Sequence, residues 1–393
     1  MTQRGTIRKR GLTWTAYWWV DGPRGAVQRT KGGFGTKREA QSFLTTTLAS
    51  VQAGVFSEPT KMTLADYVVG RWLPGREASL RTSTFDAYRR SLELHLLPKL
   101  GHVKLQQVTP EHLDRLYADL LRTGLAPKTV RNLHTTIRKA LKDAVRKNLV
   151  VRNAADAADP PRLKRSGEGE MQTWSADQLR IFLEAVAEHR LGPAFLLAAT
   201  TGMRRGEVLG LRWRDIDFRS RRLTVNQTIL SVGYQIMLGS PKTARSRRSV
   251  ALDGETVRVL AQHRHSQQHE RGFLGNAYLD HDLVFAREDG RPTHPDFFSQ
   301  TFRRIVRRLD LPIIRLHDLR HTHATMGLEA GIPIKIMSTR LGHATTAFTQ
   351  DVYMHAVPAL EESAADQIAD LIFGPTATRP APDTEPDTSA AGE

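Results

Sequence analysis

A tyrosine near the C-terminal end of the sequence lies in a polar stretch between two histidines. The stretch LGHATTAFTQDVYMH places Tyr353 ten residues after His343 and two residues before His355. A tyrosine in such surroundings is usually a half-buried packing residue, but a phenol can also act as a nucleophile. The choice between these interpretations depends on whether the rest of the chain supplies groups that would assist the attack.

Three other motifs contain residue types that could assist. Arg204 and Glu207 in TGMRRGEVLGLRW are three residues apart, as are His317 and Arg320 in LHDLRHTHAT, so each pair shares a helix face. Lys242 in SPKT is predicted to lie at a hairpin turn between two strands. Each also has an ordinary interpretation, namely a weak surface ion pair, a histidine with satisfied hydrogen bonds and an exposed lysine.

One reaction would use all of these groups together. A tyrosine attacks a phosphodiester while two arginines hold the non-bridging oxygens as negative charge builds on them. Nearby guanidinium charge lowers the pKa of the phenol, ordinarily about 10, and another group protonates the departing 5′ oxygen. Because the protein–DNA bond conserves the phosphodiester energy, the reaction needs neither a nucleotide nor a metal, and we expect no cofactor.

Histidines His317, His321 and His323 raise the alternative of a metal site. Zinc is disfavoured because His321 and His323 are two residues apart and diverge on a helix, and because the chain has no cysteine. The sequence also has no H-E-x-x-H arrangement. No metal site is therefore predicted.

The charge distribution points to a polyanionic partner. The chain has 393 residues, a formal net charge of +16 and a pI near 10.4. Its first 160 residues carry 27 Lys and Arg against 13 Asp and Glu. A merely soluble basic protein would spread this charge evenly, so the uneven distribution favours a nucleic-acid surface. No apolar run approaches the ~20 residues of a membrane span, and MTQRGTIRKRG lacks the apolar region of a secretory signal.

The elements that would position these groups form a multidomain protein. Residues 1–56 are predicted to be a small β-sheet backed by one helix, because LTWTAYWWV alternates and Thr36 and Glu39 form a capping box. One face of this strand, which carries Trp14, Ala16, Trp18 and Val20, is the predicted core. The other face is predicted to read a DNA groove with the basic residues Arg8, Arg10, Arg29 and Lys31.

Residues 62–155 are predicted to be an all-α domain. VTPEHLDRLYADLLRTG has Thr109 as N-cap, Pro110 at the first helical position and Gly124 as a stop signal. The following helix, APKTVRNLHTTIRKALKDAVRKNLV, has one apolar stripe. Its basic residues lie mostly off that stripe and are expected to face DNA, among them Lys128, Arg131, Arg138 and Lys139.

A linker is predicted over 156–172, a mixed α/β domain over 173–373 and a disordered tail over 374–393. The α/β domain is expected to be mostly helical, with RRLTVNQTIL, YQIML and RRSVAL in one short antiparallel sheet. ALEESAADQIADLIF is predicted to be an amphipathic helix. It would pack on its own domain or, as the alternative, on a neighbouring subunit.

Taken in order, the motifs resemble those of the tyrosine recombinases, and in particular the phage-type integrases. TGMRRGEVLGLRW resembles the first-arginine box of that family, SPKT its lysine box and LHDLRHTHAT its H-x-x-R box, and LGHATTAFTQDVYMH resembles its LGH…Y-x-H ending. Each motif alone is weak, but four in order over residues 173–373 are specific. The front of the chain is similar to the arm-binding and SAM-like core-binding domains of integrases, although RNAAD stands where the family often has Asn-Pro.

The resemblance implies roles for the nucleophile and its clamps. Tyr353 would attack and form a 3′-phosphotyrosyl bond, while Arg204 and Arg320 would hold the phosphate. The family spacing T-G-x-R-x-x-E selects Arg204 rather than Arg205.

It also implies roles for four further residues. Lys242 would protonate the 5′ leaving oxygen, and His317 would serve as general base or second proton handler. His343 would donate a hydrogen bond to the phosphate, and Glu207 would orient the site.

The function expected from this resemblance is site-specific integration and excision of a mobile element or viral genome through a Holliday junction. The expected partners are double-stranded DNA at core-type and arm-type attachment sites, a homotetramer on DNA, and possible excision and host DNA-bending factors. A cytoplasmic location at the bacterial nucleoid, with no membrane partner, is expected. Two alternatives remain open, a non-catalytic DNA-binding protein and a type IB topoisomerase-like relaxing enzyme.

Overall fold

The computed structural model describes residues 5–22, 25–52, 60–163, 172–239, 247–342 and 370–372. The chain divides into two compact units, Met1–Ser166 and Gly167–Glu393. Within the described residues, no helix is both long and apolar enough to cross a membrane. The predicted tail over 374–393 lies outside the described residues, as does most of the predicted helix before it, and the predicted domain limits stay predictions.

The first unit begins with a three-stranded antiparallel sheet in the order β1-β2-β3, followed by one helix. The elements are β1 (Gly5–Arg10), β2 (Thr13–Gly22), β3 (Gly25–Phe34) and α1 (Lys37–Gln52). Ala16 and Trp18 pack with Leu44 of α1 in a small core, which confirms the predicted buried face of β2. The capping box is also present, since Thr36 and Glu39 exchange hydrogen bonds of 3.3 and 3.2 Å.

The rest of the first unit is helical. Its helices are α2 (Leu64–Tyr67), α3 (Leu73–Glu77), α4 (Thr82–Ser91), α5 (Leu97–Leu100), α6 (Pro110–Arg122) and α7 (Pro127–Arg146). One π-helical turn joins α2 to α3 and another joins α4 to α5, over Val68–Trp72 and Leu92–Leu96. Thr109 caps α6 as predicted.

The apolar stripe of α7 is the centre of the helical core. The sequence predicts a stripe of six residues, of which five are buried and Val145 is partly buried: Val130, Leu133, Ile137, Leu141, Ala144 and Val145. Beyond α7 the chain remains packed on these helices. Ala158 is buried in the same core, and the carbonyl oxygen of Pro161 accepts a hydrogen bond from Arg131 at 3.1 Å.

The second unit combines helices with two small sheets. Its helices are α8 (Ala176–Ala185), α9 (Gly192–Thr201), α10 (Arg205–Leu209), α11 (Gly254–Leu274), α12 (Pro295–Val306), α13 (Asp318–Glu329) and α14 (Ile334–Leu341). Its strands are β4 (Ile216–Asp217), β5 (Arg222–Thr224), β6 (Thr228–Val232), β7 (Gln235–Gly239) and β8 (Ser249–Ala251).

These strands correct the expectation of one sheet. β4, β5 and β8 form a three-stranded antiparallel sheet, whereas β6 and β7 form a separate hairpin. The reason is that residues 225–227 interrupt the strand between β5 and β6, so RRLTVNQTIL is divided between the two sheets.

The core of the second unit is rich in phenylalanine. Phe182, Phe195, Phe298 and Phe302 are fully buried, and the rings of Phe195 and Phe298 stack with centroids 4.6 Å apart. These contacts join α8, α9 and α12. This packed core supports the end of α9 and the start of α10, where Arg204 is the N-cap residue.

Candidate active site

Arg204 is the N-cap residue of α10, two positions after the left-handed turn at Gly202 that ends α9. Its backbone N–H donates to Oε2 of Glu207 at 3.0 Å, and its Nη1 donates to Oε1 at 2.9 Å. Its Nη2 donates to the carbonyl oxygen of Gly342 at 3.2 Å. With 39% of its side chain exposed, Arg204 is therefore fixed along one edge of the guanidinium and open to solvent elsewhere.

Arg320 approaches the same place from α13. Its Nη1 donates to the carbonyl oxygen of Gly202 at 2.5 Å, and its Nη2 donates to that of Leu341 at 2.7 Å. Only 2% of the residue is exposed. Burial, followed by the nearby charge of Arg204, lowers the pKa of Arg320 to about 9. The guanidinium thus remains charged at neutral pH while lying next to a second cation.

The C-terminal end of α14 holds three arginines at once. Three consecutive carbonyl oxygens accept one guanidinium N–H each, at Arg340 from Arg248, at Leu341 from Arg320 and at Gly342 from Arg204. Such carbonyls at the end of a helix have no partner within the helix, and the helix dipole makes this end favourable for cations. We call these groups the α14 carbonyl triad.

Glu207 is the carboxylate at the centre of the arginines. Arg248 donates to it twice, from Nη1 to Oε1 at 3.2 Å and from Nη2 to Oε2 at 2.8 Å. The exposed fractions of the two side chains are only 5% for Arg248 and 6% for Glu207. Burial alone would raise the pKa of Glu207, but the hydrogen bonds and charge of Arg248, ahead of those of Arg204, hold it below its ordinary value. Glu207 is therefore an anion shared by two arginines.

Three histidines of α13 and its N-cap lie next to this cluster. His317, the N-cap residue, has its pKa lowered by desolvation and then by the charge of Arg320. Burial is also the main cause that lowers the pKa of His321 and of His323 to about 4. All three rings are therefore neutral at pH 7, and a neutral ring can accept a proton.

A cavity of about 610 Å³ opens beside Arg320 and His317. Its polar lining is mostly cationic and comprises Arg205, Ser299, Arg303, Arg315, His317 and Arg320. Arg205 is held at its rim, since its Nη1 donates to the carbonyl oxygen of Pro295, to Asp296 and to Ser299. The rest of the lining is apolar, so Arg320 and His317 belong to the polar part of a mostly apolar cavity.

Three of the predicted site residues, Lys242, His343 and Tyr353, lie outside the described residues. The strands on either side of Lys242 are β7 and β8, which belong to different sheets. The turn predicted at Lys242 falls among the residues that the structure does not describe, and it stays a prediction. Of the predicted set, the structure brings together Arg204, Glu207, His317 and Arg320.

In the part of the chain that the structure describes, no group of three or more His, Asp or Glu residues could hold a metal ion. The ring centroids of His317 and His321 lie 5.1 Å apart. His323 instead contacts Arg340, whose Nε donates a hydrogen bond to Nε2 of His323 at 3.2 Å. The histidines of this helix are thus divided between two environments.

Sequence reasoning missed Arg248 and Arg340. Arg340 joins three elements, since it donates to His323 and to the carbonyl oxygens of Thr200 and Ala251. Arg248 stands in the run ARSRRS, where several arginines look alike and only the fold distinguishes the buried one. No local signal in the sequence would have identified either residue.

The basic residues of the N-terminal sheet do not share one face. Arg8 pairs with Thr15 and lies over the ring of Tyr17 at 5.7 Å, so it belongs to the face away from α1, as does Arg10. In contrast, the register places Arg29 and Lys31 opposite Trp18 and Ala16, on the core face.

The Nζ of Lys31 accordingly lies 4.3 Å from the centroid of the Phe43 ring on α1. The expectation that one open face carries all four residues is therefore wrong for Arg29 and Lys31. Cross-strand partners point to the same side of a sheet, and the register of β3 was not evident from its sequence.

The basic residues of α7 lie opposite its buried stripe. Lys128 and Lys142 are exposed and form no hydrogen bond or ion pair with the described residues. Arg138 pairs with Asp156 at 2.6 Å, and Nζ of Lys139 lies 3.4 Å from the hydroxyl of Tyr88. We call the outward side that carries Lys128, Arg131, Arg138, Lys139 and Lys142 the α7 basic face.

Comparison with known families agrees with this fold. Residues 173–359 match the model of the phage integrase family, and residues 63–121 match that of the phage integrase N-terminal SAM-like domain. The chain belongs to the phage integrase family of tyrosine recombinases.

Relatives with assigned names cover most of the chain. A XerC-like tyrosine recombinase of Caldanaerobacter subterraneus is 29% identical over 86% of this chain and 90% of its own length. The ICEBs1 integrase of Bacillus subtilis is 28% identical over 78% of this chain and 82% of its own. The integrase of Mycobacterium phage L5 is 27% identical over 79% and 80%.

Solved structures share the architecture at lower identity. The Tn1549 transposon integrase in complex with a circular intermediate DNA aligns with a TM-score of 0.65 and 18% identity, covering 77% of this chain and 99% of that one. The lambda integrase tetramer bound to a Holliday junction aligns with a TM-score of 0.55 and 17% identity, covering 86% and 92%. The fold of this chain is therefore that of the tyrosine recombinase integrases.

Proposed function

We propose that this tyrosine recombinase is a site-specific integrase that cleaves and rejoins DNA strands at attachment sites of a mobile element. The observation that carries the proposal is the pairing of Arg204 with Arg320. These residues are 116 positions apart, yet they donate to the adjacent carbonyl oxygens of Gly342 and Leu341. The named relatives, several of which are integrases, support the same function.

The charge of the cluster favours a phosphodiester. Arg204 and Arg248 pair with Glu207, and the guanidinium of Arg320 lies beside them, so these four side chains carry about two net positive charges. Phosphoryl transfer adds negative charge to the non-bridging oxygens in the transition state. Fixed guanidiniums that already face this site stabilise that charge without reorganisation.

The proposed reaction proceeds through Tyr353. Its phenolic oxygen attacks the scissile phosphorus, a bond forms from the tyrosine oxygen to the 3′ phosphate, and the bond to the 5′ oxygen breaks. The phenolic proton passes to His317 or to solvent, and Lys242 donates a proton to the departing 5′ oxygen. His343 donates a hydrogen bond to the phosphate, while Glu207 positions Arg204. Attack of a 5′ hydroxyl on the phosphotyrosyl bond reverses these steps and rejoins DNA.

Two surfaces of the first unit are proposed to bind the duplex. The α7 basic face would contact phosphates of the core-type site in the proposed core-binding domain, residues 62–155. Arg8 and Arg10, on the open face of the sheet in residues 1–56, would contact an arm-type site. The proposed catalytic domain is 173–373, joined by a linker over 156–172.

Assembly is proposed to follow the lambda integrase, whose tetramer is bound to a Holliday junction. Two strand exchanges by a homotetramer would then integrate or excise the element. An excision factor and a host DNA-bending protein are proposed as accessory partners, and the bacterial nucleoid as the location.

Covalent trapping tests the proposal. The wild-type chain and Tyr353→Phe are incubated, with a chelator present, with nicked duplexes tiled across the DNA beside the gene. The expected result is an adduct that resists denaturant and forms with wild type alone, while both proteins bind the same duplex. Such an adduct identifies the nucleophile, the independence from metal and the position of the crossover.

Other outcomes separate the rival functions. Tight sequence-specific binding without an adduct on any duplex would contradict cleavage and favour the non-catalytic DNA-binding protein. An adduct together with relaxation of supercoiled plasmid that lacks the attachment site, by a monomer, would favour a type IB topoisomerase-like enzyme.

A further inference from the structure

The buried arginine before β8 takes no individual step in the reaction proposed above. We propose that Arg248 is a positioning residue for strand cleavage, which acts through Glu207 to hold Arg204 in its phosphate-binding orientation. This inference rests on the proposed function, because it needs DNA cleavage as its readout.

Arg248 is fixed at both its backbone and its side chain. Its carbonyl oxygen accepts a hydrogen bond from the backbone N–H of Val225 at 2.9 Å, which continues the pairing between β5 and β8. Its Nε donates to the carbonyl oxygen of Arg340 at 2.7 Å, and both Nη atoms donate to Glu207. One side chain thus joins a sheet, the end of α14 and the first turn of α10.

The contacts of Glu207 explain how Arg248 acts on Arg204. Oε1 accepts from Nη1 of both arginines, at 2.9 Å from Arg204 and 3.2 Å from Arg248. Oε2 accepts from the backbone N–H of Arg204 at 3.0 Å and from Nη2 of Arg248 at 2.8 Å. The bidentate contact with Arg248 therefore limits the carboxylate to one side-chain contact with Arg204.

Because Glu207 is shared between the two arginines, part of the Arg204 guanidinium is available to bind a phosphate. A guanidinium has five N–H donors, and two of those on Arg204 are used, by Glu207 and by Gly342, among the described residues. Without Arg248, Glu207 would be free to rotate into a bidentate pair with Arg204, which is the favoured geometry of arginine and carboxylate. Arg204 would then turn its donors away from the phosphate.

The packing around Arg248 indicates a tailored position. Gly342 has a φ of +68°, and a Cβ added there would lie 2.9 Å from Cδ and 3.0 Å from Nη1 of Arg248. A buried ion pair is also weak support for stability, since apolar residues of similar volume serve equally well. The value of the Arg248–Glu207 pair lies instead in the geometry it imposes on the neighbouring arginine.

The test is a double-mutant cycle on the full-length protein. Arg248→Lys keeps a positive charge but loses the planar fork, and Arg204→Lys does the same to the clamp. The first-order rate of adduct formation is measured at saturating nicked duplex for both single variants and for the double variant. The control is Arg247→Lys, since Arg247 is the exposed neighbour on the same segment.

Arg248→Lys is expected to lower the cleavage rate at least 10-fold while DNA affinity changes less than about 3-fold. The double variant is expected to cleave no more slowly than Arg204→Lys alone, because Arg248 acts through Arg204. Arg247→Lys is expected to cleave at the wild-type rate.

Three results would overturn the proposal. The first is a folded Arg248→Lys variant that cleaves at the wild-type rate, and the second is a double variant whose loss equals the product of the two single losses. Should Arg248→Lys unfold, Arg248→Gln is used in the same cycle. Loss of the fold in both variants would show that Arg248 is structural and would also overturn it.

These failures are distinct from failure of the proposed function. If the wild-type protein forms no adduct, the proposed integrase activity itself is contradicted. If wild type forms the adduct and the Arg248 variants do as well, only the positioning role is contradicted.

Discussion

The arginines at the C-terminal end of α14 and the basic residues of α7 carry the same charge in different environments, one buried and one exposed to solvent. Arg320 and Arg248 are almost completely buried, and each donates to backbone carbonyls or to Glu207. On the α7 basic face, Lys128 and Lys142 extend into solvent without partners among the described residues.

This difference separates two tasks of a DNA-processing protein. Exposed, mobile cations attract the phosphate backbone and release counterions, so they contribute to affinity and to its dependence on salt. Fixed cations cost more to place, but they are already oriented when charge develops on the reacting phosphate. The first group should therefore govern binding, and the second should govern the rate.

The largest expected effect comes from replacing one of the fixed arginines. Arg204→Lys retains the charge but cannot contact Glu207, Gly342 and a phosphate oxygen with one planar group. Removal of a preoriented donor typically lowers a rate by roughly 100- to 1,000-fold, and we expect a loss of this size in adduct formation at saturating duplex. DNA affinity should change by only a few-fold.

Arg205→Lys is the matched control, because Arg205 is the adjacent residue and contacts Pro295, Asp296 and Ser299 instead. Its rate should stay within about 10-fold of wild type. If Arg205→Lys lowers the rate of adduct formation more than Arg204→Lys does, Arg205 and not Arg204 is the arginine that holds the phosphate.

A second prediction follows from the burial of the α13 histidines. The pKa values of His321 and His323 are lowered to about 4, so the native protein binds fewer protons than the unfolded chain between pH 6.5 and 4. The stability that these residues contribute is complete above pH 6.5 and is lost as the pH falls toward 4. At pH 5 the loss is on the order of 2 kcal/mol for each histidine.

Hydrogen exchange of α13 peptides, corrected for the intrinsic effect of pH, measures this change. His321→Gln should reduce the pH dependence of the opening free energy, and the exposed His265→Gln should leave it unchanged. Equal pH dependence in wild type and His321→Gln would contradict the assigned burial.

The smallest effect is expected on the α7 basic face. Lys128→Gln combined with Lys142→Gln should weaken DNA binding by about 10-fold and reduce the salt slope by roughly 0.9 for each phosphate that the protein no longer neutralises. The cleavage rate at saturating duplex should remain that of wild type. The measurement is a binding titration at several salt concentrations.

The control removes the same charge from α6, through Arg115→Gln combined with Arg122→Gln. Both residues are exposed there, and Arg122 pairs with Asp119. If the two double variants weaken binding and lower the salt slope equally, the effect comes from net charge and not from the α7 basic face.

Local signals in the sequence were reliable where the structure depends on neighbouring residues. The capping box of Thr36 and Glu39, the N-cap at Thr109 and the apolar stripe of α7 are patterns within a few residues, so they could be predicted from the sequence. The pairing of Arg204 with Glu207 belongs to the same class, since it spans three residues.

Features that depend on contacts between residues far apart in the chain could not be predicted from the sequence. Arg248 reaches Glu207 across 41 residues, and nothing in ARSRRS marks it as the buried arginine. Likewise, the register of β3 on β2 places Arg29 and Lys31 opposite Trp18 and Ala16, and the sequence of β3 alone does not reveal that register. The roles of Tyr353, Lys242 and His343 were inferred from family resemblance, and they remain predictions.

The α14 carbonyl triad has a consequence for protein engineering. Its last member is the carbonyl oxygen of Gly342, so among the described residues the backbone that orients the arginines extends to that position. A chimera that exchanges the segment carrying Tyr353 with a relative should therefore be joined after Gly342. A junction placed three residues earlier would replace all three carbonyl-bearing positions, including the glycine whose left-handed backbone leaves room for Arg248.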